Sequence, residues 1–544
     1  MENTNIAHTL TQVAASQPEM VGVIEKVGSG YKNRTFQEID THTSAYAHGL
    51  ESIGISRDDR TVLMVQPSMD FICLAFALFR LGSPVILIDP GMGFRNLLRC
   101  ISSVKPTAFI GIPKAQLFRL VNPSAFSSVT KSVCVGPNFG VLGKSLKNLA
   151  DFSKGNYPTR ETAEDDLAAI IFTTGSTGPP KGVQYQHGNF SAQLELIRDY
   201  YQLTPGDIDQ PAFPLFALFS TALGACAVIP DMDPARPAQV NPKLFVKSII
   251  DQKVTYSFGS PAIWNVVSRY CLDKGIRLKS LRLVLMAGAP VPGELVERVK
   301  RIIAEDGEIH TPYGATESLP VTSISGREIV TETWPQSRIG KGTCVGKPLP
   351  GIDLKIIKMS DGPIKDWSQV EELPLGEVGE IVVRGGVVTA AYYNNATENG
   401  LAKIQDNCTF WHRIGDLGYL DEENRLWFCG RKAHRVETAD GVMFTITCEA
   451  IFNEHPAVYR SALVGVKKDA GKEIPVMIVE PIYRCDQQEL IAGLQKLAKG
   501  SVLTSNIEHF LVNDAFPVDI RHNAKIFREK LAVWATEQLG MDSA

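Results

Sequence analysis

Short hydrophobic runs alternate along the first part of the chain with segments whose apolar residues recur at helical spacing. Residues 61–65 and 84–89 are continuous β-rich runs, and the segment 69–81 between them has the pattern of an apolar helix. A helical pattern over 96–104 and a strand-like run over 108–111 continue the alternation. Continuous apolar strands between helices are typical of parallel sheets that are covered on both faces. The pattern therefore predicts an α/β fold.

The alternation recurs in the middle of the chain and then changes character. Residues 281–286 predict a strand, and residues 293–305 predict the helix that follows it. After about Val345 strands and turns dominate, as in the runs 380–384 and 426–428. A β-rich region is therefore expected to follow the α/β part of the chain.

The end of the chain returns to a mixed α/β pattern. Beyond Arg431, residues 461–466 and 475–481 predict strands, and residues 525–538 predict a helix. This tail is a candidate for a smaller, separate domain.

One uncharged stretch, residues 210–230, has about the length that a membrane-spanning helix needs. Pro211, Pro214 and Gly224 interrupt it, and it stands alone in the sequence. We therefore expect no transmembrane segment here, but a buried segment or the wall of an apolar pocket. Phe213, Phe216 and Phe219 are the candidate pocket residues.

Composition and charge narrow the class of protein. The chain has 544 residues, and at about 150 residues per domain this predicts more than one domain. There are 55 Lys and Arg against 59 Asp and Glu, a formal net charge of −4. Nucleic-acid proteins favour a basic surface, so we expect no nucleic-acid partner.

The cysteines and the first residues bear on the compartment. The ten cysteines form no C-x-x-C pair or tight Cys/His group, which argues against a zinc site and a disulfide framework. Unpatterned thiols fit a reducing compartment. Met1 to Thr4 lack the start of a secretory signal. A cytoplasmic location is the expectation.

The strongest chemical signal is the segment 170–182, an apolar strand that runs into a loop of hydroxyls, glycines and a lysine. Glycines let backbone N–H groups approach a polyanion, hydroxyls add donors, and a lysine adds a point charge. The spacing differs from a Walker A loop. A Gly/Ser/Thr surface turn is the alternative, but the composition favours phosphate binding. The candidate residues are Thr173, Thr174, Gly175, Ser176, Thr177, Gly178 and Lys181.

This loop resembles the phosphate loop of the ANL superfamily of adenylate-forming enzymes, which includes acyl-CoA synthetases, peptide-synthetase adenylation domains and luciferases. Five further segments resemble motifs of that superfamily, in the same order, across roughly residues 11–531. They are 287–290 (the adenine-side turn), 311–317 (the Y-G-x-T-E motif), 415–419 (the ribose motif), 430–432 (the hinge) and 523–526 (the catalytic-lysine motif).

The resemblance implies a fold, cofactors and residue roles. It implies a large N-terminal region of stacked α/β subdomains with a β-rich subdomain (1–430) and a small mobile C-terminal domain (431–544). It also implies ATP and Mg²⁺ as cofactors. Nucleotide binding is carried over to the loop residues and to Gly288, Ala289, Pro290, Tyr313, Gly314, Asp416 and Arg431; catalysis is carried over to Lys525, Glu317 and Thr316, with the metal on Glu317.

Each role fits the chemistry of the residue, and each has a plainer alternative. Lys525 offers a cation for the charge that gathers where a carboxylate meets the α-phosphate, unless it is a solvated helix lysine. Glu317 offers the hard oxygen that Mg²⁺ prefers, unless it is a structural glutamate. Asp416 can accept from ribose hydroxyls or can be a turn residue. Tyr313 can face adenine or pack in the core, and Arg431 can bind the nucleotide or form an interdomain ion pair.

Two departures from the acyl-CoA synthetase pattern concern the hinge. Ala433 stands where an Asp or Lys is usual, and residues 435–449 lack the proline of the expected G-x-x-I-x-P-x-E-I-E stretch. The segments 430–438, 452–456 and 213–219 instead resemble the β-lactone synthetase branch of bacterial long-chain olefin biosynthesis.

That branch implies a long-chain 2-alkyl-3-hydroxy fatty acid as substrate, adenylated at its carboxylate and closed to a β-lactone by its own hydroxyl. It also implies olefin-pathway partner enzymes and peripheral membrane contact. A fatty acyl-CoA synthetase or acyl-AMP ligase, and a non-catalytic binding scaffold, remain alternatives. The base for ring closure is open; His187, His310 and His434 are candidates by residue type.

Overall fold

The computed structural model describes residues 4–138, 140–173, 179–467, 472–484, 486–518 and 526–541. Its helices are, in chain order, α1 (Ala7–Ser16), α2 (Phe36–Ser52), α3 (Met69–Leu81), α4 (Phe94–Val104), α5 (Pro113–Val121), α6 (Leu146–Leu149), α7 (His187–Tyr200), α8 (Pro214–Ala222), α9 (Pro242–Asp251), α10 (Pro261–Lys274), α11 (Gly293–Lys300), α12 (Gly326–Glu328), α13 (Trp334–Gln336), α14 (Ala396–Ala402), α15 (Thr445–Phe452), α16 (Gln487–Lys499) and α17 (Arg528–Gln538). Short 3₁₀ or π-helical turns lie at Pro90–Met92, Pro237–Gln239, Ile329–Thr333, Ser337–Lys341, Trp367–Gln369 and Lys432–His434.

The strands are, in chain order, β1 (Val21–Val27), β2 (Gly30–Thr35), β3 (Thr61–Met64), β4 (Val85–Leu87), β5 (Ala108–Gly111), β6 (Lys131–Cys134), β7 (Lys144–Ser145), β8 (Leu167–Thr173), β9 (Lys181–Gln186), β10 (Ile208–Asp209), β11 (Cys226–Val228), β12 (Tyr256–Gly259), β13 (Leu283–Met286), β14 (Glu308–Ala315), β15 (Ser318–Ser325), β16 (Thr343–Pro348), β17 (Asp353–Ile357), β18 (Gly379–Arg384), β19 (Lys403–Asp406), β20 (Thr409–Leu420), β21 (Leu426–Arg431), β22 (Val436–Thr438), β23 (Gly441–Met443), β24 (Val458–Lys467), β25 (Glu473–Pro481) and β26 (His509–Val512).

Two large sheets contain most of these strands. Seven strands pair in the order β7-β6-β5-β3-β4-β8-β9, and only β9 runs antiparallel to its neighbour. The other sheet has 14 strands in the order β17-β18-β20-β21-β16-β15-β14-β13-β12-β10-β11-β1-β2, with β19 beside β20. The strands β10 to β14 in it are parallel, whereas those from β15 to β21 are antiparallel. This confirms the predicted α/β part and the strand-rich region after Val345.

Helix α3 packs between the two sheets. Twelve of its 13 residues are buried, and its cluster includes Val23 of β1 and Val85 of β4. The Ser68 hydroxyl accepts from the Phe71 amide at 3.2 Å and caps the first turn, while Gly82 ends the helix with φ 70°. The helix therefore has the bounds that the apolar pattern predicts, and Ser68 and Gly82 define its two ends.

The residues after 435 form a separate layer. Strands β24, β25 and β26 make a three-stranded sheet, and its two apolar clusters contain only residues from Val436 onward. Helix α15 packs on the π-helical turn Ser337–Lys341. A Cβ on Gly340 (φ 91°) would lie 2.9 Å from the Thr447 carbonyl oxygen, so this contact requires a glycine.

Two expectations need correction. The helix predicted over 293–305 ends at Lys300, and the helix predicted from Lys525 begins at Arg528. The uncharged segment 210–230 was expected to hold no spanning helix, and it contains the nine-residue α8 followed by β11. Within the described residues, every helix is too short or too polar to cross a bilayer.

Candidate active site

A buried carboxylate, Asp416, marks the centre of the expected nucleotide site. It lies on β20 directly opposite Arg431 of β21, and its Oδ1 is 3.0 Å from Arg431 Nη1. Its Oδ2 accepts a 2.6 Å hydrogen bond from the Tyr313 hydroxyl of β14. Tyr313 lies 103 positions before Asp416 in the sequence, and Arg431 lies on the strand next to Asp416. Residues from three separate motifs therefore meet at one carboxylate.

Asp416 has spare capacity to accept a hydrogen bond. The carboxylate is 3% exposed, and Oδ1 receives no aligned hydrogen bond from any described residue although Arg431 balances its charge. Burial raises the pKa of Asp416, and Arg431 opposes that rise. A buried acceptor without a donor is costly, and a ribose hydroxyl would supply one. The site thus fits the ribose of ATP.

The hydroxyl of Tyr313 donates its hydrogen bond to Asp416, so only the aromatic ring is left for the expected contact with adenine. Burial, and then the neighbouring Asp416 carboxylate, raise the pKa of Tyr313 far above its ordinary value, so the phenol stays protonated and donates. The ring lies 6.1 Å from the ring of Phe428. Tyr313 therefore combines a fixed hydroxyl with an aromatic face at the edge of the same site.

The adenine-side turn follows β13. Gly288 has φ 93°, a conformation that suits glycine, and Ala289 and Pro290 lead from it toward α11. Strands β13 and β14 are parallel neighbours, with Leu285 opposite His310. The turn and Tyr313 consequently lie at the carboxyl ends of adjacent parallel strands, where α/β sheets bind ligands.

Glu317 lies in the tight turn between β14 and β15. A Cβ on Gly314 would approach the Ser318 carbonyl oxygen to 2.3 Å, so this turn needs a glycine. Glu317 Oε1 accepts a 2.7 Å bond from the Tyr392 hydroxyl, and its backbone oxygen accepts from the Thr389 amide and hydroxyl at 2.9 and 3.1 Å. Its Oε2 has no hydrogen-bond or ion-pair partner among the described residues, which leaves one hard oxygen for Mg²⁺.

Lys403, which no sequence motif indicates, is connected to Glu317 through Thr389, because both residues form hydrogen bonds with Thr389. Its ammonium group is 4.9 Å from the centre of the Phe410 ring and donates to the Thr389 carbonyl oxygen, and the residue is only 7% exposed. Burial lowers the pKa of Lys403 to about 7, although Glu317 acts in the opposite direction. Its position between Ala402 and Ile404 is the one sequence signal, a lysine with apolar neighbours on both sides.

We expect Lys403→Met to change how stability depends on pH. In the wild type the folded state releases the lysine proton near pH 7, whereas the unfolded chain keeps it to about pH 10. Lys403 therefore makes the free energy of unfolding rise with pH across this window, by at most about 1.4 kcal/mol per pH unit. The methionine variant should lose this slope, and its stability relative to wild type should fall from pH 7 to pH 10.

Urea unfolding followed by tryptophan fluorescence at several pH values measures this slope. Lys347→Met is the matched control, because Lys347 is exposed on β16. Equal pH slopes in wild type and Lys403→Met would show that Lys403 is not desolvated in solution.

Lys181 is held beside the Glu317 region. It pairs with Thr173 across β8 and β9, and its Nζ lies 2.5 Å from Glu398 Oε2 and 5.3 Å from the centre of the Tyr392 ring. The residues Thr174, Gly175, Ser176, Thr177 and Gly178 lie outside the described residues. Both ends of the candidate phosphate loop, Thr173 and Lys181, are thus placed near the tyrosine that holds Glu317.

Thr316 is linked to the same strand. The Tyr185 hydroxyl of β9 donates to the Thr316 carbonyl oxygen at 2.6 Å. Because β9 belongs to the seven-stranded sheet and Thr316 lies in the turn between β14 and β15 of the large sheet, this bond fixes the phosphate-loop side against the Glu317 turn. Lys525 lies outside the described residues.

The three candidate pocket phenylalanines have different surroundings. Phe216 stacks on Phe258 of β12 with ring centres 3.7 Å apart, Phe219 is 7% exposed in the apolar core, and Phe213 is 45% exposed. Adjacent rings in this series lie 6.0 and 5.8 Å apart. They form a row that runs from the surface to the core, rather than one wall.

The three histidines that are candidates for the ring-closing base lie in different surroundings. His187 is buried, its ring lies 6.1 Å from that of Phe79, and burial lowers its pKa to about 4. His310 packs against Tyr200 and Tyr201, and burial lowers its pKa too. Both have the surroundings of core residues, whereas His434 lies in the turn that follows Arg431.

Comparison with known proteins identifies the class. The family described as "AMP-binding enzyme" matches residues 10–393. The chain belongs to this family of adenylate-forming enzymes, the ANL superfamily, and is an ATP-using ligase.

Individual relatives make the comparison more specific. The chain is 43% identical to an olefin beta-lactone synthetase of Xanthomonas campestris and 42% identical to one of Stenotrophomonas maltophilia, in each case over 98% of both chains. Among solved structures, the amide bond synthetase McbA of Marinactinospora thermotolerans has a TM-score of 0.79 at 20% identity, covering 97% of this chain and 99% of McbA. The AMP complex of O-succinylbenzoate coenzyme A synthetase of Bacillus subtilis has a TM-score of 0.73 at 21% identity, covering 96% and 97%. These structures confirm the predicted fold.

Proposed function

We propose that this enzyme adenylates the carboxylate of a long-chain 2-alkyl-3-hydroxy fatty acid with ATP and closes the product to a β-lactone. The observation that carries the proposal is the 42–43% identity, over nearly the full length, to two olefin beta-lactone synthetases. The unusual hinge supports it independently, since Ala433 and the proline-free segment 435–449 depart from the pattern of CoA-using relatives.

The chemistry has two steps. A carboxylate oxygen of the substrate attacks the α-phosphorus of ATP, and pyrophosphate leaves. The β-hydroxyl oxygen then attacks the activated carbonyl carbon, the bond to AMP breaks, and the hydroxyl proton is lost. Because the nucleophile is already attached, the enzyme needs no second acceptor; such orientation supplies about 7–11 kcal/mol in the best intramolecular cases.

Different residues of this chain would bind the ribose, the adenine and the phosphates of ATP. Asp416 and Arg431 would hold the ribose, with Tyr313 beside the adenine turn formed by Gly288, Ala289 and Pro290. The loop from Thr173 to Lys181, including Gly175, Ser176, Thr177 and Gly178, would hold the phosphates together with Thr316.

Mg²⁺ fits the free oxygen of Glu317 and would neutralise phosphate charge when bound. Tyr392 and Thr389 would keep the Glu317 carboxylate in place for the ion, through the bonds that they make to its side chain and backbone.

The row of aromatic rings on α8 and on the residue just before it suits the alkyl chains. Phe213, Phe216 and Phe219 form a row of rings from surface to core that would line a path for these chains, and each buried methylene of the substrate would contribute about 0.8 kcal/mol. Exclusion of water along this path would also protect the acyl-adenylate from hydrolysis. Partner enzymes of olefin biosynthesis would supply the hydroxy acid and consume the lactone.

We further propose the division into residues 1–430 and 431–544, with the second part carrying Lys525 into the site. Lys432 lies 3.0 Å from Glu380 and Arg435 lies 2.7 Å from Asp361, so charged pairs hold the segment after Arg431 on the β-rich region. A 2.8 Å hydrogen bond from Arg338 to Glu454 ties the turn after α15 to the π-helical turn Ser337–Lys341. Rotation of the small part would break these pairs.

The test is an incubation with Mg-ATP and a long 3-hydroxy-2-alkyl acid, with and without CoA. We expect a lactone carbonyl signal and stoichiometric AMP without CoA. Thioester that forms only with CoA would favour the acyl-CoA synthetase alternative. A failure to adenylate any carboxylic acid would leave the scaffold alternative. A matched 2-alkyl acid without the hydroxyl should be adenylated but yield no lactone.

A further inference from the structure

The segment 90–150 differs in charge from the rest of the chain. It contains eight of the 55 Lys and Arg residues and none of the 59 Asp and Glu residues. A run of 61 residues without an acidic side chain is unexpected in a protein whose net charge is −4. With no acidic side chain to offset them, the eight basic residues give this segment a formal net charge of +8.

Two helices of this segment expose large apolar side chains. Phe94, the first residue of α4, is 73% exposed, and Leu117 and Val121 of α5 are 57% and 66% exposed. The Phe94 ring lies 5.5 Å from that of Phe118, so the start of α4 and the middle of α5 are adjacent. Clustered apolar side chains on a surface mark a site that contacts another apolar phase.

Basic side chains flank these residues. Arg95 and Arg99 lie one helical turn apart on α4, and Lys114 lies in the first turn of α5; all three are exposed. None of the three forms an ion pair with another described residue, whereas Lys131 of the same segment is 2.8 Å from Asp59. Their charges are thus available to an external partner.

We propose that the α4–α5 surface, formed by Phe94, Arg95, Arg99, Lys114, Leu117 and Val121, docks on an anionic lipid bilayer. Lysines and arginines near a negatively charged membrane surface contribute about 1 kcal/mol each, and exposed aromatic and aliphatic side chains enter the headgroup region. A bilayer supplies both the negative charge and the apolar layer that this surface complements.

Vesicle binding tests the proposal, and it needs neither substrate nor ATP, so its outcome is independent of the lactone-forming reaction. We expect the full-length protein to cosediment with vesicles that contain about one third phosphatidylglycerol, to bind pure phosphatidylcholine much more weakly, and to detach as salt rises above about 0.1 M. Arg95→Glu/Arg99→Glu and Phe94→Ser/Val121→Ser should each weaken binding by about tenfold or more.

Matched variants elsewhere separate docking from general effects. Lys496→Glu/Lys499→Glu reverses two exposed lysines on α16, and Ile482→Ser/Tyr483→Ser removes two side chains that are 57% and 60% exposed; both should bind like wild type. In Phe94→Trp, brominated lipids should quench the added tryptophan emission.

Several results would overturn the proposal. One is the absence of binding to anionic vesicles. Another is binding that survives the two α4–α5 double variants, or an unquenched tryptophan at 94 in bound protein. Binding to polyglutamate as tight as to vesicles, and insensitive to Phe94→Ser/Val121→Ser, would indicate an acidic protein as the partner instead.

Discussion

Lys525→Ala is expected to reduce adenylation by about 10²- to 10³-fold or more while leaving ATP binding nearly unchanged. The proposed role of Lys525 is to place a cation where negative charge builds up between the carboxylate and the α-phosphate. Removal of one such electrostatic contact in a catalytic site typically costs this much in kcat. Pyrophosphate exchange driven by the hydroxy acid measures the first quantity, and calorimetric titration with ATP measures the second.

The control is Lys530→Ala, which removes an exposed lysine five residues later on α17 whose ammonium lies 4.8 Å from the centre of the Phe527 ring. It should exchange pyrophosphate like the wild type. Normal turnover by Lys525→Ala would contradict the catalytic assignment. An equal loss in both variants would point to damage of the C-terminal layer rather than to a missing charge.

The fold was predictable where local pattern and tertiary packing agree. Residues 69–81 became α3 without a shift, because an apolar helix with a serine cap and a glycine stop has little alternative. Residues 293–305 were predicted too long. Ile302 and Ala304 bond through their backbones to Leu278 and Leu281, and these long-range bonds end the helical ladder although the apolar spacing continues.

The residues of the candidate site also fall into two groups, those that a sequence motif indicates and those that only the fold brings to the site. Asp416, Tyr313 and Arg431 could be predicted because each lies in a short motif of characteristic residues. Tyr392 could not, because it reaches the site only through contacts across the fold, and Lys403 had no signal beyond its two apolar neighbours. Tyr392 meets Glu317 across 75 positions of sequence, and no periodicity or spacing encodes a pairing at that distance.

Glu317→Gln is expected to lower kcat by about 10²-fold or more and to raise the Mg²⁺ concentration needed for half-maximal rate. Glutamine keeps the size of the side chain and can still accept from the Tyr392 hydroxyl, so the turn between β14 and β15 should persist. What it removes is the negative charge on the oxygen that we assign to the metal. Initial rates across a Mg²⁺ titration at saturating ATP measure both effects.

Tyr392→Phe distinguishes a metal ligand from a structural carboxylate. It removes only the 2.7 Å bond to Glu317 Oε1 and leaves the charge in place. If Glu317 binds Mg²⁺, Tyr392→Phe should be the milder variant and its Mg²⁺ requirement should change little. If Glu317 only holds the turn, both variants should lower thermal stability together and leave the Mg²⁺ dependence unchanged, because an anchoring hydrogen bond is lost or weakened in each while no metal contact is altered.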